Sequence, residues 1–213
     1  VVREAIENPD KNYLVIVPEQ FTMQTQKDLC LAHPKGGIMN IDVLSFGRLA
    51  YRVFEEVGQD ARVVLDDEGK NLVLRKIAGE CEKDLKVFKG NLKKQGYISE
   101  VKSVLSEFAQ YGVDFERLDD FMKEVPPESY LHYKLDDIRT IYEKFEEYLS
   151  EKYITKEEML DVLSDAVPYS DILKGSVVAM DGFTGFTPVQ NRLIGELFSV
   201  CEKVMITVTM DGR

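Results

Sequence analysis

No stretch of about 18 apolar residues occurs in this chain of 213, which excludes a membrane-spanning helix from it. Cysteine is scarce: Cys30, Cys81 and Cys201 are far apart, odd in number and without a CxxC pair. That excludes a disulfide framework and fits a reduced, intracellular protein. Neither of the two histidines, His33 and His132, sits in a metal-ligand spacing. Ser45 lacks a G-x-S-x-G elbow and reads as a helix cap rather than a nucleophile. A phosphate cradle, G-x-x-x-x-G-K-[ST], is also missing, because Gly36-Gly37 lies in a turn with no lysine after it. Positive charge is in deficit, with 27 basic against 38 acidic residues and a net charge of -11. A protein that wraps nucleic acid with its whole surface is normally basic. The charge therefore opposes a free-standing DNA binder, while leaving room for a local strip or for a subunit that shares DNA with a partner.

What is present is a hydrophobic fraction of 44%, ordinary for a folded protein. Tyr13-Leu14-Val15-Ile16-Val17 is a continuous apolar run stopped by Pro18, the pattern of a buried parallel strand. Thr22 is placed to cap the next helix, which runs to about Ala32. Asn40 to Leu44 reads as a second strand. Ser45 then caps a helix with apolar residues at Phe46, Leu49, Ala50, Val53, Phe54 and Val57, ended by Gly58. From about 62 to 174 the pattern shows helices and no convincing strand, and this stretch holds a net -7 of the charge. Asp66 or Asp67, the stripe Ile98, Val101, Leu105 and Phe108, and the longer stripe from Leu131 to Leu149 mark three of them. Thr155 and Glu158 form a capping-box pattern. Strand character returns at Ser176 to Met180 and at Lys203 to Thr209, either side of a helix announced by Thr187, Pro188 and Gln190. The expected architecture is α/β: residues 1–61 and 175–213 form one domain with a mainly parallel sheet, and 62–174 form a large all-helical insertion. Val1 to Glu7 reads as a helix already under way and the chain stops just after its last strand, so both ends are expected to be cut, and upstream of Val1 is the position a phosphate loop would occupy.

Strand ends are where open α/β proteins place functional groups. Asp181 closes one strand and is a candidate magnesium contact; its bland reading is an Asx-turn with Gly182. Phe21, Thr22, Ser45, Phe46 and Arg48 lie where strands end and helices begin, where free N–H groups bind phosphate. A second basic strip is Lys83, Lys86, Lys89, Lys93 and Lys94, with Phe88 and Tyr97 as rings for stacking, diluted by Glu82 and Asp84. The adjacent acidic pairs, Asp136-Asp137 and Glu157-Glu158 among them, read as solvated helix faces.

Three stretches together carry a resemblance: Val17 to Thr22, Val43 to Val53, and Met180 to Gln190. They resemble the N-terminal region of the AddB/RexB family, found in the AddAB/RexAB helicase-nucleases, and more distantly the motifs of superfamily 1 helicases. The resemblance implies a partial P-loop NTPase domain, in which Val17 to Thr22 matches a motif that contacts single-stranded DNA. It sets Asp181 at the magnesium-binding aspartate and Gln190 at a nucleotide-associated glutamine. Gly182 stands where an active helicase has its water-activating glutamate, and Gly47 where it has a histidine. The family's complex processes double-strand breaks for homologous recombination. That implies an AddA/RexA-type partner, single- and double-stranded DNA ends, magnesium and ATP, and a bacterial cytoplasmic setting. An iron-sulfur cluster is implied in a C-terminal nuclease domain outside these residues; no cofactor is expected within them. The fragment alone is expected to be inactive. Two alternatives are an acidic module that docks the partner without touching DNA, and a P-loop kinase or transferase; the helical insertion and Gln190 count against the second.

Overall fold

The structure, a computed structural model, describes residues 1–58, 63–91, 94–150 and 152–207. In chain order the first elements are α1 (Val2–Glu7), β1 (Tyr13–Ile16), α2 (Thr22–Ala32), β2 (Ile41–Leu44) and α3 (Phe46–Val57). Next come β3 (Val63–Leu65), α4 (Asp67–Glu80), α5 (Gln95–Tyr111), α6 (Phe115–Lys123), α7 (Tyr130–Leu149) and β4 (Tyr153–Thr155). The last are α8 (Glu158–Ala166), β5 (Val177–Met180), α9 (Pro188–Val200) and β6 (Lys203–Ile206). The chain divides into two compact units, Val1–Asp60 with Met159–Arg213, and Ala61–Glu158.

The first unit is built on a parallel sheet of order β2-β1-β5-β6. All four residues of β1 are buried, as are three of the four in β5, because these strands have neighbours on both sides. The edge strands β2 and β6 are less covered. This explains the sequence pattern, since a central parallel strand is a continuous apolar run. The last two predicted positions of β6, Val208 and Thr209, lie outside the described residues. In α3 the Ser45 hydroxyl accepts the Arg48 N–H at 3.3 Å, and Gly58 closes the helix at φ 66°. Phe46, Leu49, Ala50 and Val53 form its buried face. Thr187 and Gln190 make the expected capping box on α9, whose Val189, Leu193, Ile194 and Leu197 are buried.

Residues after Met159 are tied to this unit by polar links. Arg192 on α9 reaches Asp161 at 2.7 Å and Asp165 at 2.5 Å on α8, and Ser170 donates to Glu56 at 2.5 Å. The division therefore falls near 158, upstream of the 174 expected from the hydrophobic pattern. Thr22 is a second departure. It is the first residue of α2 rather than its cap, and its hydroxyl donates to the Glu19 carbonyl at 3.0 Å. A short 3-10 turn, Glu19–Phe21, precedes it and leads the chain from Pro18 into the helix.

The second unit is helical, with a core of Leu74, Ile77, Val101, Leu105, Ile141 and Phe145, among others. The expectation of no strand here is corrected: β3 and β4 pair in parallel, Val63 with Tyr153 through Leu65 with Thr155. Three residues are too few to show an alternating period, so the pair is created by tertiary contact. The acidic pairs are corrected as well. Asp137 is 1% exposed and accepts the backbone N–H groups of Lys86, Val87 and Phe88 at 2.7–2.8 Å. Lys70, also buried, reaches Glu157 at 2.8 Å and Ser106 at 3.2 Å. Among the described residues no helix is long and apolar enough to cross a membrane.

Candidate nucleic-acid interface

Parallel pairing brings the carboxyl ends of all four strands to one edge of the sheet. Ile16 is in register with Leu44 and Met180, and Met180 with Ile206. One further backbone bond extends each ladder: Val17 N–H to the Leu44 carbonyl, Asp181 N–H to Ile16, and Thr207 N–H to Met180, all at 2.9–3.0 Å. The residues following the strands, Val17, Ser45, Asp181 and Thr207, are thereby fixed along that edge.

Aromatic rings gather there. Phe46 lies 5.3 Å from Phe183 between centroids, and Phe183 lies 5.1 Å from Phe186. Phe21 approaches the same loop. A Cβ added to Gly182 would meet the Phe21 ring and Pro18 at 3.6 Å. Gly182 has φ 77°, a conformation side-chain-bearing residues rarely adopt, so glycine is needed for the turn out of β5. Phe21 is 46% exposed while Phe46 is buried. The outer ring is available to a ligand and the inner ones hold the loop in shape.

The expected site residues divide accordingly. Phe21, Ser45, Phe46, Arg48, Asp181, Gly182 and Gln190 belong to elements leaving this edge. Arg48 is exposed, and its guanidinium lies 3.4 Å from the Glu19 carboxylate. Thr22 is 4% exposed, with its hydroxyl turned to Glu19. The Gln190 side-chain oxygen accepts the Thr187 N–H at 2.9 Å, which commits it to capping α9. Asp181 is exposed, and one of its oxygens receives the Thr207 hydroxyl. Glu19, Phe183, Phe186 and Thr207 were not among the expected site residues. Their part depends on contacts across the sheet edge, although the Phe183 and Phe186 spacing in a glycine-rich loop was a readable hint.

A magnesium-nucleotide centre needs more than this edge supplies. Asp181 is one carboxylate with one oxygen already engaged, and glycine follows it. Among the described residues no group of three or more His, Cys, Asp or Glu is arranged to hold a metal. These residues do not by themselves fit the ion, and no chemical step follows from them.

The lysine strip lies in the other unit. Lys83, Lys86 and Lys89 are on the loop joining α4 to α5, and Lys94 is the N-cap residue of α5; Lys93 lies outside the described residues. Lys86 is paired with Asp136 at 2.8 Å, and Lys94 donates to the Asn91 side-chain oxygen at 3.1 Å. Phe88 is buried and packs edge-on to Tyr97 at 6.2 Å. Of the two rings expected to stack on bases, Phe88 is therefore part of the core and Tyr97 is half-buried against it.

Comparison with known proteins follows the same lines. A family model described as "ADDB, N-terminal" matches residues 1–213. The chain is 46% identical over 211 residues to the B subunit of the ATP-dependent helicase/deoxyribonuclease of Lachnoclostridium phytofermentans, covering 99% of this chain and 18% of that protein. It is 36% identical over 205 residues to the protein of the same name from Alkaliphilus metalliredigens, covering 96% and 18%. For that of Clostridium tetani the identity is 35% over 214 residues, covering 100% and 19%. The chain thus spans less than a fifth of the length of these relatives.

Proposed function

The chain belongs to the AddB N-terminal family, and on that premise we propose that its α/β unit is a degenerate helicase scaffold that contacts single-stranded DNA. The parent protein would be the AddB/RexB-type half of a heterodimeric ATP-dependent helicase and exonuclease. Its partner would be of the AddA/RexA type, its substrate DNA ends awaiting recombination, and its setting the bacterial cytoplasm.

The observation that carries this reading is the meeting of Phe21, Phe46, Phe183 and Phe186 with Arg48 at one edge of a parallel sheet. A base has a flat face to lay on an exposed ring, and its phosphate has a charge for a guanidinium. The backbone N–H groups at the start of α3 add a favourable dipole next to Arg48. Catalysis by these residues alone is not part of the proposal. Gly182 has no group to take a proton from water, and a positioned general base contributes roughly 10²–10⁴-fold in rate. In the longer protein Asp181 would supply a single magnesium contact at most, with the remaining ligands of an ATP site coming from other residues.

Binding of an oligonucleotide to the chain should weaken as salt rises, since phosphate contacts release counterions. Phe21→Ala should lower affinity by roughly tenfold, the size of one base stack. Arg48→Ala should flatten the salt dependence by about 0.7 in logarithmic slope, the loss of one phosphate contact. Salt-independent binding, or variants that bind as the parent does, would remove DNA from this face.

A further inference from the structure

A cavity of about 400 Å³ opens in the helical unit, lined in part by Phe88 of the lysine-bearing α4–α5 loop. Its floor is apolar: Phe88 from the α4–α5 loop, Val101 and Val104 from α5, and Ile138 from α7. Phe88, Val101 and Ile138 are at most 5% exposed and belong to the core of the unit, so the floor is held in place. Asp137 pins the loop beneath it through three backbone N–H bonds. The polar lining includes both a donor and an acceptor, Lys134 and Glu100. The volume falls within the roughly 300–1,000 Å³ of ordinary ligand pockets.

The chemistry of the rim selects among occupants. A carboxylate accepts from the exocyclic amino group of a base, as it does at cytosine N4. An ammonium donates to a ring carbonyl, and the apolar floor receives the ring face. The loop that supplies Phe88 also carries Lys83 and Lys89, both exposed and, among the described residues, with no carboxylate partner. An unstacked base with charged phosphates on either side matches all of these at once. An acidic peptide would use the lysines but leave Glu100 opposed to its own charge.

We propose that this cavity is a second DNA contact, taking one amino-bearing base of a single strand between Glu100 and Lys134, with neighbouring phosphates on Lys83 and Lys89. The proposal rests on the reading of the parent protein as a DNA-binding subunit, yet it concerns a different unit and different residues. Ser103 lies on the cavity wall and is exposed, so a larger side chain there fills the space without entering the core.

The test compares full-length proteins for binding to oligo(dC) and oligo(dT) by fluorescence anisotropy. Thymine lacks the amino group, so the parent should favour oligo(dC) several-fold. Ser103→Trp should lose about tenfold in oligo(dC) affinity and Glu100→Leu should abolish the preference, while far-ultraviolet dichroism stays unchanged. Lys89→Glu should weaken both oligonucleotides and lower the salt slope by about 0.7. Ser103→Trp and Glu100→Leu proteins that bind both oligonucleotides as the parent does would overturn the cavity proposal. Loss of association with the partner protein alone in these variants would overturn it too, in favour of a protein ligand. Phe21→Ala and Arg48→Ala measured alongside keep the two readings apart. If these lose affinity while the cavity variants do not, the strand-end reading stands and the cavity falls; the reverse result does the opposite.

Discussion

Replacing Asp137 should be among the most damaging single changes in the helical unit. Its carboxylate is 1% exposed and takes the N–H groups of Lys86 at 2.8 Å, Val87 at 2.7 Å and Phe88 at 2.8 Å. Hydrogen bonds to charged groups contribute roughly 1.5–3 kcal/mol each. Two of the three donors are only partly buried and would regain water, which brings the expected cost of Asp137→Ala to about 3–5 kcal/mol rather than the full sum. Asp137→Asn keeps the shape but turns an NH2 group toward N–H donors, costing about 1–3 kcal/mol. Against a total stability of roughly 5–15 kcal/mol for a domain, either loss is readily measured. Urea denaturation followed by circular dichroism gives the difference, and hydrogen exchange at the amides of 86, 87 and 88 gives its location. A loss below about 1 kcal/mol for the alanine variant, or unchanged exchange at those three amides, would refute the anchoring argument.

Glu146 makes stability depend on pH. Burial, with Glu158 beside it, pushes its carboxyl up to about 7 from an ordinary 4.5. The folded chain therefore holds a proton that the unfolded chain releases, so its contribution is complete below about 4.5 and is lost as pH rises through 7. Glu146→Gln should flatten that slope in melting curves taken from pH 4.5 to 8, and an unchanged slope would show that another group is responsible. Gly182→Ala should cost about 1 kcal/mol, because φ is 77° there even though the new methyl group would have ordinary 3.6 Å contacts with Phe21 and Pro18. A neutral or stabilising result would mean that the turn readily changes conformation. Thr187→Ala, which removes half of the α9 capping box, should cost roughly 1 kcal/mol in the same denaturation assay, and no loss would show that Pro188 alone fixes the helix start.

The parts of the fold that could be read from sequence are those fixed by local pattern. β1 declared itself as an apolar run ending at Pro18, and α3 by its cap, its stripe and its terminal glycine. Elements made by distant partners were hidden. β3 and β4 are three residues each and lie far apart in the chain. Asp137 resembled its half-buried neighbour Asp136 until the loop some 50 positions earlier folded onto it. Phe88 looked like a surface ring beside lysines, but its neighbours in space are core residues of α5 and α7. At the strand ends, residue types showed where polar and aromatic groups would emerge. The pairings of Glu19 with Arg48 and of Thr207 with Asp181 arise only when the sheet edge is assembled.

Photocrosslinking bears most directly on the claim that the strand-end face meets single-stranded DNA. An oligonucleotide carrying 5-iodouracil, irradiated with the full-length protein and analysed by mass spectrometry of its peptides, reports which aromatic side chains lie against a base. Crosslinks to Phe21, reduced when Phe21 is replaced by alanine and when salt is raised, are the predicted result. Efficient crosslinking elsewhere in the protein with none to the segments around Phe21, Phe46 and Phe183 would contradict the account.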